Sequence, residues 1–125
     1  MRRLFTVFAF VVSFGVLASP AISQKYPTIS YRDAAEHVDE IVYVTGTVLR
    51  TEKGSEGTYL LFSARPKYLR VLIPRENLKN FKGSLQYMYA GKKIKVVGKI
   101  TRYGRKLILG VNEPKRIEIL KKKAS

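Results

Sequence analysis

Two residues on neighbouring predicted strands have side chains of the types that bind single-stranded nucleic acid. Tyr59 and Arg70 each stand in a segment of alternating apolar residues, at positions where alternation points the side chain away from the core. A tyrosine ring stacks on a base, a contact worth roughly 1 to 3 kcal/mol, and an arginine pairs with the phosphate. We therefore expect Tyr59 and Arg70 to lie on one exposed outer face, together with Leu61 and Leu72.

Six further residues extend this predicted binding surface. They are Tyr43, Lys53, Arg102, Tyr103, Arg105 and Lys106. We expect Lys53 and the turn at 103–105 to form the two lips of a groove, whereas Lys95 and Lys99 lie elsewhere and contribute to the general positive field. The alternative for each tyrosine is an amphipathic side chain that half covers one end of the fold and keeps its hydroxyl in water.

The sequence contains no recognisable pattern of a catalytic or metal site. His37 is the single histidine and cysteine is absent, which argues against zinc sites and a cysteine nucleophile. Residues 54–57 lack the G-x-S-x-G pattern, and no glycine-rich phosphate-binding motif occurs. A metal-dependent nuclease would need clustered carboxylates near the basic groove, and the groove positions have almost none. We predict a binding protein without enzymatic activity, cofactor or metal.

Positive charge is concentrated in the middle of the chain. The formal net charge is +15, and residues 57–112 hold 13 basic residues and one acidic residue. Such a field attracts polyanions, such as nucleic acid, anionic lipid head groups or lipopolysaccharide phosphates. The simpler alternative is a solvated basic surface that aids solubility. So large an excess repels itself, however, and an anionic partner would relieve that repulsion.

The first 23 residues have the organisation of a secretory signal peptide. Arg2 and Arg3 precede an uncharged apolar run from Leu4 to Ala18, and small residues follow at 19–23. The apolar run is too short to span a bilayer core of about 30 Å. We therefore expect cleavage and export to the periplasm or the medium, with an uncleaved anchor as the alternative.

The rest of the chain fits one small domain, because domains cluster at roughly 100 to 150 residues. We divide the chain into a signal peptide at 1–23, one domain at 24–119 and a basic tail at 120–125. Since the chain has no cysteine, no disulfide constrains the unfolded state. The stability of the domain must therefore come from its apolar core.

Alternation and turn residues predict five strands and two helical segments. The strands are Ile41–Arg50, Tyr59–Ser63, Tyr68–Ile73, Lys93–Arg102 and Lys106–Val111. A short helix at Tyr31–His37 begins after Ser30, a favoured N-cap residue. Apolar residues recur at helical spacing from Leu78 to Met88, which predicts a helical segment interrupted near Gly83.

Two of the predicted strands share one pattern, at 42–48 and 94–100, with Gly46 and Gly98 at the same position. A central glycine allows a strand to bulge or bend, as a small barrel requires. The order of strands, with a helical segment between the third and the fourth, predicts an all-β fold with little helix, the five-stranded OB barrel. An SH3-like barrel is the nearest alternative, but it would not contain the long insertion at 75–90.

Four motifs connect the sequence to a known family. They are Val42-x-Val44-x-Gly46-x-Val48, Tyr59-Leu60-x-Phe62, the alternating run from Gly91 to Lys106, and Pro114-x-x-Ile117-Glu118-Ile119. With these motifs the sequence resembles small bacterial OB-fold nucleic-acid-binding domains and, more distantly, the anticodon-binding OB domains of aminoacyl-tRNA synthetases. The resemblance covers about Tyr31 to Ile119, and it implies a ligand lying across the second and third strands.

The sequence departs from that family in two places. Relatives often carry Pro-Glu where this chain has Leu107-Ile108, so a contact made by that acidic residue is not implied here. Anticodon-binding domains also work in the cytosol, and the predicted leader therefore argues against RNA decoding.

These features together predict an exported, monomeric OB-fold protein that binds single-stranded nucleic acid. We expect it to prefer DNA to RNA and to bind largely without sequence preference, through phosphate contacts and tyrosine stacking. The alternative is a non-enzymatic envelope module that binds a protein or an anionic lipid or glycan. Export favours this alternative, since nucleic acid is scarce outside the cytosol.

Overall fold

The structure, a computed structural model, describes residues 25–120, so the predicted signal peptide and residues 121–125 of the predicted tail lie outside the described residues. The strands are β1 (Thr28–Ser30), β2 (Ile41–Thr47), β3 (Arg50–Lys53), β4 (Gly57–Leu61), β5 (Arg70–Pro74), β6 (Lys93–Tyr103), β7 (Lys106–Gly110) and β8 (Ile117–Ile119). The helices are α1 (Leu85–Tyr89) and three 3₁₀ helices at Tyr31–His37, Arg75–Asn80 and Pro114–Arg116.

The strands form one mixed sheet. Their order is β1-β2-β6-β7-β5-β4-β3, and β8 pairs with β6 outside this path. The β1–β2 and β5–β7 pairs are parallel and the other pairs are antiparallel. The predicted all-β class is confirmed. The predicted closed barrel of five strands is not confirmed, because the sheet has eight strands and its path ends at β1 and β3.

The predicted strand Ile41–Arg50 is two strands, β2 and β3. Between them, Val48 donates its backbone N–H to the carbonyl of Lys92 at 2.9 Å, and Leu49 donates its own to the carbonyl of Leu61 at 2.7 Å. The chain thus leaves the edge of β6 and joins the edge of β4. A change of pairing partner leaves no mark on the alternation of the sequence, which is why one strand was predicted.

Gly46 and Gly98 lie in an uninterrupted ladder. All seven residues of β2 pair in regular register with β6, so of the expected bulge or bend, no bulge is present at Gly46 or Gly98. The glycines are needed for space instead. A Cβ on Gly46 would lie 2.7 Å from the ring of Phe62, and one on Gly98 would lie 2.7 Å from Leu109. The backbone of these two strands is therefore packed directly against core side chains.

Strands β4 and β5 are buried on two faces. On the inner face, Leu60, Val71 and Ile73 are completely buried in the main core. On the outer face, Tyr59, Leu61 and Ile108 form a separate small cluster, against which Leu72 packs. Alternation along the strands separates these two sets, as predicted.

Both predicted helical segments are present. Ser30 caps the first, since its Oγ accepts a hydrogen bond from the backbone N–H of Arg32 at 3.2 Å. This segment is a 3₁₀ helix. The second is interrupted as predicted, with Gly83 at φ 90° between the 3₁₀ helix Arg75–Asn80 and α1. Among residues 25–120, none of the helices has the length and apolar character needed to cross a membrane.

Candidate functional site

A groove of about 740 Å³ lies on the outer face of β4, β5, β6 and β7. Its floor is apolar and is formed by Leu72 and Ile108. Its walls contain two tyrosines, two lysines and one carboxylate, namely Tyr59, Tyr103, Lys99, Lys106 and Glu56. We refer to this feature as the outer groove. Rings, cations and an apolar floor together suit a ligand that has flat bases and negative charges.

The hairpin of β6 and β7 supplies one wall of the outer groove. Tyr103 is paired with Lys106 and Thr101 with Ile108, and such directly opposed residues share one face of the sheet. Gly104 in the turn has φ 63°, a left-handed conformation that glycine adopts without strain. The ring of Tyr103 is 61% exposed, so it is the ring in this groove most open to a ligand.

Tyr59 lies in the outer groove but is only 6% exposed, so the prediction of an exposed ring is wrong. Its hydroxyl donates a hydrogen bond to Glu56 Oε1 at 2.8 Å. The Cζ atom of Arg70 lies 5.5 Å from the centre of the ring, within the range of a cation–π contact. Tyr59 is therefore a wall of the groove that also holds Glu56 and Arg70 in place.

The Tyr59–Glu56 hydrogen bond moves the pKa values of its two groups apart. It holds the pKa of Glu56 below its usual value, with a smaller contribution from the positive charge of Lys106. Burial raises the pKa of Tyr59, and the hydrogen bond to Glu56 raises it further. Near neutral pH, Tyr59 is thus a neutral donor and Glu56 is an ionised acceptor. The outer groove accordingly contains one negative charge among its cations.

Arg70 has an unused hydrogen-bond donor. Its Nε atom is buried and has no hydrogen-bond partner among the described residues. A buried donor without a partner is unfavourable. Arg70 and Tyr59 lie on neighbouring strands and on the same face, as predicted.

Of the eight predicted site residues, Tyr59, Tyr103 and Lys106 line the outer groove, and Tyr43, Lys53, Arg70, Arg102 and Arg105 do not. Lys53 is opposite Thr58 in the β3–β4 pair, and both line a different cavity beside α1. Arg102 stands between Thr101 and Tyr103, so alternation along β6 points it to the opposite face. Arg105 is exposed in the β6–β7 turn, next to the groove-lining Lys106.

Tyr43 belongs to a separate aromatic group. Its ring centre lies 6.0 Å from that of Tyr26, and the Nζ atom of Lys95 lies 4.7 Å from it. Tyr43 is on β2, and β6, β7 and β5 stand between this strand and β4, where Tyr59 lies. The structure therefore does not bring Tyr43 to Tyr59.

Sequence reasoning missed Lys99 and Glu56. Lys99 was expected away from the groove, and this is wrong, since Lys99 lines it. The signal was present, because Lys99, Thr101 and Tyr103 alternate along one strand. Glu56 lies three residues before Tyr59, across the turn between β3 and β4, and nothing in the sequence pattern fixes the geometry of that turn.

Within residues 25–120, no three His, Cys, Asp or Glu side chains lie close enough together to hold a metal ion. No protein-family model matches this sequence, and no curated protein is similar to it in sequence.

The fold, in contrast, is similar to solved structures. It matches a protein described as an aspartyl-tRNA synthetase from Leishmania major Friedlin over 84% of this chain, with a TM-score of 0.51 and 10% identity. The fold is OB-like. This chain spans 22% of the length of that protein, about a fifth, and the likeness concerns the fold alone.

Two further structures match at lower TM-scores. The hypothetical protein YgiW from E. coli matches over 86% of this chain and all of its own, at 16% identity and a TM-score of 0.48. An Entamoeba histolytica asparaginyl-tRNA synthetase in complex with asparaginyl-adenylate matches over 78% of this chain and 27% of its own, at 15% identity and a TM-score of 0.44.

Proposed function

We propose that this protein binds single-stranded nucleic acid in the outer groove, largely without sequence preference. The observation that carries the proposal is the exposed Tyr103 ring opposite Lys106, in a groove that Lys99 also lines and whose floor is apolar. A base stacks on such a ring while the ammonium groups contact the phosphates on either side. The excess of positive charge in residues 57–112 supports this, since it attracts a polyanion to this part of the chain.

The roles of the two tyrosines differ in this proposal. Tyr103 provides the stacking surface, because its ring is exposed. Tyr59 stays in place as a wall and holds Arg70 beside it on the same face, where the guanidinium group donates a hydrogen bond to a phosphate oxygen. Glu56 repels phosphate, so the backbone of the ligand runs on the side of Lys99, away from that carboxylate.

The finer architecture is part of the same proposal. Strands β2 and β3 act as one bent strand, so that five strands close an OB barrel. The hydrogen bonds of Val48 to Lys92 and of Leu49 to Leu61 support closure, because they continue the pairing on both sides of the bend. In OB barrels the ligand crosses the second and third strands, which here are β4 and β5, where the outer groove lies.

In this proposal the protein is an exported monomer, and it binds its ligand without catalysing a reaction. Support for export comes from the sequence, where Arg2 and Arg3 precede the apolar run Leu4–Ala18 and small residues follow. The domain then comprises residues 24–119, and residues 120–125 add a basic tail. DNA is the expected ligand outside the cytosol, because released or imported DNA is the nucleic acid found there.

The test is fluorescence anisotropy of the purified protein with a labelled oligonucleotide at two salt concentrations. Binding is expected to weaken steeply with salt, because each neutralised phosphate releases a counterion. Tyr103→Ala should cost about 1 to 3 kcal/mol of binding free energy, the value of one stacked base.

Tyr87→Ala is the matched control. Its ring is 83% exposed and lies 5.8 Å from the Nζ atom of Lys92, but it is on α1, away from the outer groove. Absence of binding at low salt would overturn the proposal, and so would equal losses in the two variants. Binding to anionic vesicles without binding to the oligonucleotide would identify the envelope module instead.

A further inference from the structure

A second cavity of about 530 Å³ adjoins the outer groove. The two cavities share three lining residues, Pro74, Lys99 and Gly110. On its far side the second cavity is bordered by Tyr26 and Arg116. We refer to it as the far cavity. One of the three, Gly110 on β7, has no side chain that could separate the two cavities.

Gly110 is not required by backbone conformation or by packing. Its φ is outside the left-handed region, and a Cβ built on it would meet no heavy atom within 4 Å. Gly46 and Gly98 differ, since a Cβ on either would lie 2.7 Å from a core side chain. Gly110 weakens its strand relative to a residue with a side chain. What its small size provides is an open connection between the two cavities.

The far cavity repeats the chemistry of the outer groove. It has one aromatic ring, that of Tyr26, and two cationic side chains, Lys99 and Arg116. Amide groups of Asn77 and Asn112 also line it and offer hydrogen bonds to phosphate or base atoms. Arg116 Nε lies 3.9 Å from Glu113 Oε2, and an exposed ion pair of this length is weak.

We propose that the outer groove and the far cavity form one continuous track over Gly110, whose ligand is an extended strand of several nucleotides and not a mononucleotide. This inference rests on the proposed function. The track runs from Tyr59 on β4 to Ile41 on β2, which are four strand spacings apart. At about 4.8 Å per spacing, the track is about 20 Å long from end to end. The exposed ring of Tyr103 in the outer groove and the ring of Tyr26 in the far cavity suit two bases, and the cations beside them suit the phosphates.

The test compares two labelled oligothymidylates, of about 3 and about 12 nucleotides, below and within the range of about 4 to 16 that one OB fold covers. The readout is the ratio of the two affinities, measured within each variant. The longer strand also binds in more registers, but this statistical factor is the same for every variant. Only a change of the ratio between variants therefore reports on the far cavity.

Tyr26→Ala and Gly110→Val are the test variants. The first removes the ring of the far cavity, and the second places a side chain in the passage. Each should lower the ratio about fivefold or more, the lower end of the value of one stacked base. Tyr87→Ala, the control, should keep the ratio of the wild type. Thermal unfolding checks the fold of Gly110→Val, and Tyr26→Ala decides alone if that variant does not fold.

The outcomes separate this inference from the function on which it rests. If the wild type binds both oligonucleotides and neither variant changes the ratio, the continuous track is wrong and the outer groove remains the binding site. If neither oligonucleotide binds at low salt, both proposals are wrong. A lowered ratio in the folded variants, with the control unchanged, establishes the track.

Discussion

The two faces of β4 and β5 are both apolar, but they are built in different ways. On the inner face, Leu60 and Val71 are completely buried in the main core. The outer face, with Tyr59 and Leu72, is a small cluster bordered by Glu56 and by the unpaired Nε of Arg70. Antiparallel strands commonly cover one face and leave the other to solvent. The outer face of β4 and β5 departs from that pattern, since Tyr59, Leu61 and Ile108 are buried there as well.

The largest effect should come from truncating the inner face. Leu60→Ala is expected to lower the free energy of unfolding by about 2 to 5 kcal/mol, because it opens a cavity in the main core. Leu72→Ala, the matched change on the outer face, should cost less than half as much, since Leu72 is only partly buried. Urea unfolding of both variants measures the difference. Equal losses would mean that the outer cluster is an ordinary part of the core.

Two glycines, Gly46 against the main core and Gly110 between the two cavities, should respond to substitution in opposite ways. In Gly46→Ala the new methyl group meets the rings of Phe62 and Tyr31, and overpacking of this kind costs about 1 to 3 kcal/mol. In Gly110→Ala the methyl group enters open space, so the free energy of unfolding should stay the same or rise slightly. Thermal unfolding distinguishes the two results. A stable Gly46→Ala variant would contradict the close packing of β2 against the core.

A smaller, pH-dependent effect should mark the outer face. Tyr59→Phe removes the hydrogen bond to Glu56, whose pKa is lowered in the folded protein chiefly by that bond. A lowered carboxyl pKa adds stability above the pKa of the unfolded chain, and this stability disappears as the pH falls through the folded value. The variant should thus be less stable than the wild type at neutral pH, and the gap should shrink in acid.

Urea unfolding at neutral and acidic pH measures that gap. Tyr89→Phe is the matched control, because Tyr89 is also buried and its pKa is raised by burial, with no contribution from a carboxylate. A gap that stays constant with pH for Tyr59→Phe would contradict the assigned role of the Tyr59–Glu56 bond.

Local patterns predicted the elements of the fold well. Strand β6 was expected at 93–102 and spans Lys93–Tyr103, and both helical segments lie where capping and apolar spacing placed them. Strand β1 was missed, because three residues are too few to show alternation. It forms because the edge of β2 is open for pairing. The backbone N–H of Tyr43 on β2 donates a hydrogen bond to the carbonyl of Pro27, just before β1.

The candidate site was predicted less completely, because its geometry depends on contacts distant in sequence. The parallel pairing of β5 with β7 brings Ile108 against Tyr59 and buries a ring that alternation alone would leave exposed. Tyr103 and Lys106 were placed correctly, since a tight hairpin fixes them relative to each other. Lys53 was misplaced because β3 begins a new register after Leu49.

The tip of the β6–β7 hairpin has a consequence for how this protein evolves. Gly104 has open space around it, and the strands below are in register down to the main core. Exposed tips of this kind tolerate insertions and exchanges. Mutation can therefore lengthen the tip or replace Tyr103 and Arg105. Such changes alter one wall of the outer groove and leave the packing of the main core as it is.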